Sequence, residues 1–277
     1  MDTHLVYRLL FFVLTIVVLC GCEIKFPKMD IRASRRERLR INLSLIAIDW
    51  VLVRLTLGAL PIALSAVVQE KGWGLLNLWS GSAFSKIAIT VVFLDLTIYI
   101  QHVLFHATPL FWRFHKVHHS DLVLDFSTGV RFHPVEILLS LFIKSLAILA
   151  IGAEPLGVLI FEVALNTGSL FNHSNVCIPA HFDRFLRWIV ITPDAHRIHH
   201  STKMRETNSN FGFTVSIWDR VFGTLRNTPN GDDLFQVEIG LQTYKSNGHM
   251  GLVRLLRLPF LKEDQGYSFD KNEQPHV

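Results

Sequence analysis

Five apolar runs, at residues 5–20, 43–68, 84–106, 135–151 and 155–171, occupy much of the first part of the chain, and no comparable run follows them. A helix needs about 20 mostly apolar residues to cross a hydrocarbon layer of about 30 Å, so these runs read as membrane helices. The first is nearly pure hydrocarbon, the second carries Asp49 and Arg54, and the third carries Asp95 and ends in histidines. Only Gly152-Ala153-Glu154 separates the last two runs, and Pro155 follows at once, which predicts a tight turn in a helical hairpin. Beyond Phe171 the chain mixes His, Asn, Asp, Gly and aromatic residues. Within 250–262, Leu252, Val253, Leu255, Leu256 and Phe260 surround Arg254, Arg257 and Lys262, as expected of a short amphipathic helix on a membrane surface.

The predicted fold is therefore all-α: a multi-pass transmembrane bundle of about four core helices, with an extra N-terminal anchor, under a histidine-rich helical cap. One integral-membrane domain is expected, with an anchor and basic loop at 1–42, the transmembrane core at 43–171, the cap at 172–262 and a tail at 263–277. No internal repeat or low-complexity linker divides it.

Composition narrows the class. Half of the residues are hydrophobic, 18% are charged and the mean hydropathy is +0.34, too apolar for an ordinary soluble enzyme and opposite to a disordered chain. Three cysteines exclude a disulfide-stapled secreted scaffold. The net charge of +4 does not call for nucleic acid, because the basic residues cluster beside apolar runs where anionic lipid headgroups lie. Lys25, Lys28, Arg32, Arg35, Arg36, Arg38 and Arg40 fall between the first two runs, and the positive-inside tendency puts that segment in the cytoplasm. Counting crossings from there brings the histidine clusters to the same face. Arg8, an apolar stretch and Leu19-Cys20-Gly21-Cys22 also fit a lipoprotein cleavage site with Cys22 lipidated, but that reading puts the basic segment outside, so the first run is taken as an anchor helix.

Of 14 histidines, eight fall in three short windows: His102-x-x-x-His106, His115-x-x-His118-His119 and His196-x-x-His199-His200. Residues three and four apart share a helix face, so His102 and His106 project together and His115 converges with His118 and His119. Three such clusters brought to one place supply enough imidazoles for two metal ions. Imidazole suits iron, copper, nickel and zinc, whereas magnesium and calcium take oxygen ligands. A pH switch or a surface cluster is the blander alternative, and it explains three matched windows poorly. His4, His181, His249 and His276 read as ordinary interfacial residues.

The windows and their surroundings resemble a family. Asp95-x-x-x-Tyr99-x-x-His102, Trp112-Arg113-Phe114-His115-Lys116-Val117-His118-His119-Ser120 and Thr192-Pro193-Asp194-Ala195-His196-Arg197-Ile198-His199-His200-Ser201 look like the three boxes of the fatty acid hydroxylase and sterol desaturase superfamily. Asn210-Phe211-Gly212 and Trp218-Asp219-Arg220-Val221-Phe222-Gly223-Thr224 resemble its stretch after the last box. The likeness runs from about Leu94 to Thr224. It implies an integral-membrane non-haem di-iron oxygenase with a cytoplasmic metal-holding cap, which uses dioxygen and two electrons to hydroxylate or desaturate a lipid alkyl group. Carried over residue by residue, the implied iron ligands are His102, His106, His115, His118, His119, His196, His199 and His200, with His173 as a ninth. Some hydroxylases of the family pair that last histidine with another four residues away, where this chain has Ser169 and Cys177. His133, in Arg131-Phe132-His133-Pro134, resembles a recurrent loop pattern and is a weaker ligand candidate.

The residues themselves agree with an oxygenase, since activating dioxygen needs a metal that changes oxidation state. No catalytic side chain beyond the metal ligands is singled out, and zinc is able to replace the two irons on purification. Asp194 and Asp219 are candidate partners for the ring N–H groups. No flavin, dinucleotide or haem motif is present, so a separate electron donor is expected: a reductase, a ferredoxin or a cytochrome-b-type protein. The site is expected to face the cytosol, at a bacterial inner membrane or the endoplasmic reticulum. Two alternatives remain. A zinc-dependent membrane lipid hydrolase needs only three protein ligands and lacks an HExxH motif here. A non-enzymatic metal transporter is expected to hold its ligands near the bilayer midplane.

Overall fold

The structure is a computed structural model that describes residues 3–56, 60–229, 234–247 and 250–261. His249, His276 and the tail from 263 onward lie outside the described residues. The described residues form helices joined by turns and three isolated bridges, with no β-strand among them.

Seven helices build the bundle: α1 Thr3–Lys25, α2 Arg32–Thr56, α3 Leu60–Lys71, α4 Ala83–Ala107, α5 Pro109–His119, α6 Pro134–Ile151 and α7 Pro155–Asn172. Proline stands first in α5, α6 and α7, where its missing N–H leaves no intrahelical bond unmade. Among the described residues, three helices are long and apolar enough to cross a membrane: Val6–Lys25 of α1, α4 and α6. On α1, Leu10, Val13, Leu14 and Val17 stay exposed, the pattern of a helix whose partner is lipid. The hairpin of α6 and α7 forms as predicted, because Gly152 caps α6 in the left-handed region at φ 74°. A Cβ at Gly74 would collide with the Gly152 backbone, so the connection after α3 seats directly on this turn.

The run 43–68 departs from the prediction of one helix. It contains the end of α2 and most of α3, and Pro61 stands in the first turn of α3, a position it tolerates where it would break a continuous helix. Most of the predicted basic loop is also helical, since α2 begins at Arg32 and runs through the expected boundary at 42. Arg38 is 1% exposed. Its Nε and Nη2 donate to the Asp121 carboxylate at 2.9 and 2.8 Å, and its Nη1 donates to Asp125 at 2.6 Å. Burial pushes the Asp121 carboxyl up, but the Arg38 and Arg131 guanidiniums outweigh it and hold it well below the usual carboxylate range.

Registers between helices show which ends meet. Arg8 pairs with Glu162 at 3.0 Å, the hydroxyls of Thr15 and Thr167 lie 3.3 Å apart, and Glu23 accepts the backbone N–H of Asn175 at 2.9 Å, so α1 and α7 run parallel. With α4 they deliver their C-terminal ends to one pole, from which α2 and α6 depart. Over that pole lie the short helices of the cap: α8 Ala180–Leu186, α9 Pro193–His199, α10 Met204–Thr207, α11 Ile217–Val221 and α12 Leu252–Arg257. The predicted amphipathic surface helix is this short α12. Leu255 and Leu258 are buried in a cluster with Ile41, Leu45 and Val117, while Val253 and Phe260 are exposed.

Removing the charge of Arg38 leaves two buried carboxylates unpaired. Arg38→Met is expected to lower the free energy of unfolding in detergent by about 3–5 kcal/mol. Arg40→Met, at an exposed position, should change it by no more than about 0.5 kcal/mol. Equal effects in a denaturant titration of the two variants would overturn this assignment.

Candidate metal centre

Four helix ends supply the rings. His102 and His106 close α4, His115, His118 and His119 close α5, and His173 follows the last residue of α7. His196 and His199 share α9, whose entry is fixed by Thr192 accepting from Ala195 N at 3.3 Å and by Pro193 at the first position; His200 ends that helix. All nine rings are buried, and they fall into two groups. His102, His106, His115, His119 and His199 form one, and His118, His173, His196 and His200 form the other, each with its ligand atoms within 4.8 Å of one another. All nine candidate ligands from the sequence are thus brought together.

Hydrogen bonds around the groups fix which ring nitrogens face inward. A carbonyl only accepts, so His102 Nδ1 donates to Phe211 O at 2.6 Å, His199 Nδ1 to Ser209 O at 2.8 Å and His173 Nδ1 to Ser169 O at 2.6 Å. His115 Nδ1 donates to Glu136 Oε1 at 2.6 Å. Each of these rings therefore turns the lone pair of Nε2 toward its group. His102 Nε2 and His115 Nε2 stand 3.1 Å apart with no proton left to share. His173 Nε2 has the Nε2 atoms of His118, His196 and His200 at 2.9, 3.0 and 3.1 Å. Burial pushes His115 down to about 3 and His173 to about 4, and it lowers His118, His119, His196, His199 and His200 well below the usual histidine value. The rings are neutral at pH 7, the form that binds metals.

This donor set fits metal ions. Two nitrogens about 2.1 Å from one ion at a right angle are about 3 Å apart, close to the separations found. His119 Nε2 and His199 Nε2 are buried without a hydrogen-bond partner, which a bound cation would remedy. The two histidine groups are thus able to hold metal, and both are free of the carboxylates that calcium and magnesium favour.

The family-like residues around the boxes acquire physical roles. On α4, Asp95, Tyr99 and His102 lie on one face and all bind the cap: Asp95 accepts from Trp218 Nε1 at 2.7 Å, the Tyr99 hydroxyl lies 2.8 Å from that of Thr224, and His102 reaches Phe211. Asp95 is therefore a brace. Asn210 adopts φ 53°, a conformation Asn tolerates, and turns the flanking carbonyls of Ser209 and Phe211 onto His199 and His102. Asp219 accepts the N–H of Phe211 and of Gly212 at 2.8 and 2.9 Å, and so holds that loop without touching a ring. Asp194 pairs with Lys28 at 3.0 Å instead of with a ring. His133 stands apart from both groups, because its Nδ1 caps α6 by accepting from Val135 N at 3.1 Å and its Nε2 donates to Leu256 O at 3.2 Å. Sequence reasoning missed Glu136, the one carboxylate bonded to a ring of either group among the described residues; its signal was an acidic residue in the first turn of an otherwise apolar helix.

A cavity of about 320 Å³ opens beside the first group and extends into the bundle. His102 and His115 form part of its wall, with Ile98, Phe105, Phe132 and Leu165 among the apolar residues.

A helical bundle with membrane-length apolar helices, closed over two buried histidine groups able to hold metal, defines a membrane histidine-box protein. The sequence model of the fatty acid hydroxylase family matches residues 87–224, which hold every box histidine, and through this segment the chain belongs to the fatty acid hydroxylase superfamily. The ornithine lipid hydroxylase OlsE of Rhizobium tropici is 32% identical over 145 residues, 52% of this chain and 43% of that protein. Cholesterol 25-hydroxylase of Rattus norvegicus is 32% identical over 153 residues, 54% of this chain and 50% of that protein. Alkylglycerol monooxygenase of Xenopus tropicalis is 27% identical over 141 residues, 49% of this chain and 29% of that protein. The matched segment spans half or less of the length of these relatives. No solved structure matches the chain significantly.

Because Glu136 sets the tautomer and basicity of His115, Glu136→Leu is expected to weaken metal binding about 10- to 100-fold, measured by competition with a chelator. Glu136→Gln, which keeps an acceptor oxygen, should lose less. Unchanged affinity in Glu136→Leu would remove this residue from the support of the site.

Proposed function

We propose that the protein is a membrane-bound non-haem di-iron oxygenase that hydroxylates an alkyl C–H bond of a lipid. The observation that carries this reading is the pairing of two buried, all-histidine groups with a cavity that reaches the first of them from the bundle interior. His102, His106, His115, His119 and His199 would hold one ion, and His118, His173, His196 and His200 the other. Bound there, two redox-active ions supply the electron relay to dioxygen that attack on an unactivated C–H bond requires. The balance is one C–H bond, one dioxygen, two electrons and two protons giving one C–OH and one water. Desaturation of the same chain is the variant outcome.

The chain's own residues orient, exclude and position. Backbone carbonyls and Glu136 lock the rings; Phe211 packs edge-on to His102, and Phe132 stacks on His118 at 4.6 Å, keeping water from the rings. The electrons come from a separate reductase, ferredoxin or cytochrome-b-type protein, since no flavin, dinucleotide or haem motif accompanies the site. Lys25 at the end of α1, Lys28, and the arginines in the first half of α2 favour a cytosolic placement of this pole, at a bacterial inner membrane or the endoplasmic reticulum. Relatives named for ornithine lipid, cholesterol and alkylglycerol support a lipid substrate.

Metal content tests the reading. Protein from iron-replete cells, purified in mild detergent, is expected to hold about two irons per chain, one for each histidine group. His118→Ala and His199→Ala each disable a different group, and both should lose iron and abolish the oxygen-dependent product. A single tight zinc that iron does not displace, with lipid cleavage products in place of oxygenated ones, would replace this reading by a zinc-dependent lipid hydrolase.

A further inference from the structure

The cavity beside His102 and His115 is not a plain hydrocarbon slot. Asp49 of α2, Gln101 of α4 and Glu136 of α6 line it, and they are 6%, 7% and 3% exposed. Each contributes an oxygen buried without a hydrogen-bond partner: Asp49 Oδ1, Gln101 Oε1 and Glu136 Oε2. A buried acceptor left unmade costs about 1–3 kcal/mol, and such exceptions in a folded protein call for a cause. Three from three different helices, on the wall of one cavity, are met together by a polar ligand end that donates hydrogen bonds and also accepts them, as a hydroxyl does. On the same wall Arg8 and Lys144 face Glu162 at 3.0 and 3.9 Å, and Arg8 Nε is itself buried without a hydrogen-bond partner.

Position adds to the chemistry. Gln101 precedes His102 in α4, and the Glu136 oxygen not in question holds His115. The polar seat and the first histidine group therefore share a wall, while Ile98, Phe105 and Leu165 supply apolar contact for hydrocarbon.

We infer that the cavity takes a lipid whose polar end carries hydrogen-bond donors, hydroxyl or amine, and seats that end against Asp49, Gln101 and Glu136. The C–H bond offered to the metal centre then lies within a few bonds of the donor-bearing carbon. Phosphodiester groups and acyl esters bring acceptors only, leave Gln101 Oε1 unpaired and are disfavoured. For the reaction this rests on the oxygenase reading above; the binding preference does not need it.

The test compares two matched pairs of probes on the full chain in detergent, by calorimetric titration of metal-free and iron-loaded protein. One pair is hexadecyl glyceryl ether, with two free hydroxyls, and its di-O-methyl counterpart. The other is hexadecylamine and its trimethylammonium counterpart, which keeps the charge and loses the donors. The donor-bearing member of at least one pair is expected to bind about tenfold or more tightly than its methylated partner, with or without iron. The pair with the larger ratio tells hydroxyl from amine. Asp49→Leu and Gln101→Leu should each shrink that ratio while leaving the affinity for the methylated probe intact, which shows that the variants fold; Asp49→Asn should retain part of it. Equal affinity within both pairs in the wild type would overturn the inference. Turnover separates this from the oxygenase reading: oxygenation of donor-bearing and methylated probes at equal kcat/KM sinks the polar seat alone, whereas a tenfold binding preference without any oxygenated product sinks the oxygenase reading alone.

Discussion

Lone pairs aimed at one another in a dry place set the terms for this molecule. Four of the nine clustered rings donate their Nδ1 proton outward, to Phe211, Glu136, Ser169 and Ser209, so their Nε2 atoms meet inside with nothing of the protein's own to bind. Burial keeps the rings neutral, which removes charge repulsion and leaves an appetite for cations. Such an arrangement is costly unless a metal occupies it, and it persists only because the surroundings over-determine it. α4, α5, α7 and α9 each end at this point, and the loop around Asn210 is tied down by Asp219 so that two of its carbonyls meet two rings.

The spacing of the boxes was legible because it is local. Three- and four-residue intervals make a helix face whatever the rest of the chain does, so the two histidine groups could be gathered from sequence, though not sorted from each other. Proline at the head of α7 and glycine at the end of α6 made the hairpin equally plain. What escaped was non-local. Glu136 lies 21 residues from the ring it supports, and nothing in its neighbourhood announces that partner. Arg38 looked like one more positive charge in a cytoplasmic loop, because the carboxylates that bury it lie more than 80 residues on. For the same reason α2 was read from its apolar half alone, and Asp194 was offered to the rings when Lys28 had already claimed it.

Membrane bundle and cap are one piece of engineering at α4. Its final turns carry Asp95, Tyr99, His102 and His106 on a continuous stripe that serves as the landing strip for the cap, while other faces remain apolar. A helix long and apolar enough to cross the bilayer that also carries two of the clustered rings transmits any tilt directly to them, so the rigidity of the site depends on how firmly Trp218 and Thr224 grip that stripe.

The partners of α1 bear on how the chain is made. This helix is synthesised before α7, yet Arg8 answers to Glu162, and Glu23 to the backbone N–H groups of Phe126 and Asn175. Glu23 meets Arg35 and then the Phe126 N–H before α7 is made, whereas the Arg8 guanidinium waits for Glu162 of α7, a state tolerable at the membrane boundary and unfavourable at depth. Assembly therefore closes from α7 back onto α1. The contacts between α1 and α7 are complete only when the segment carrying His173 and Asn175 is in place.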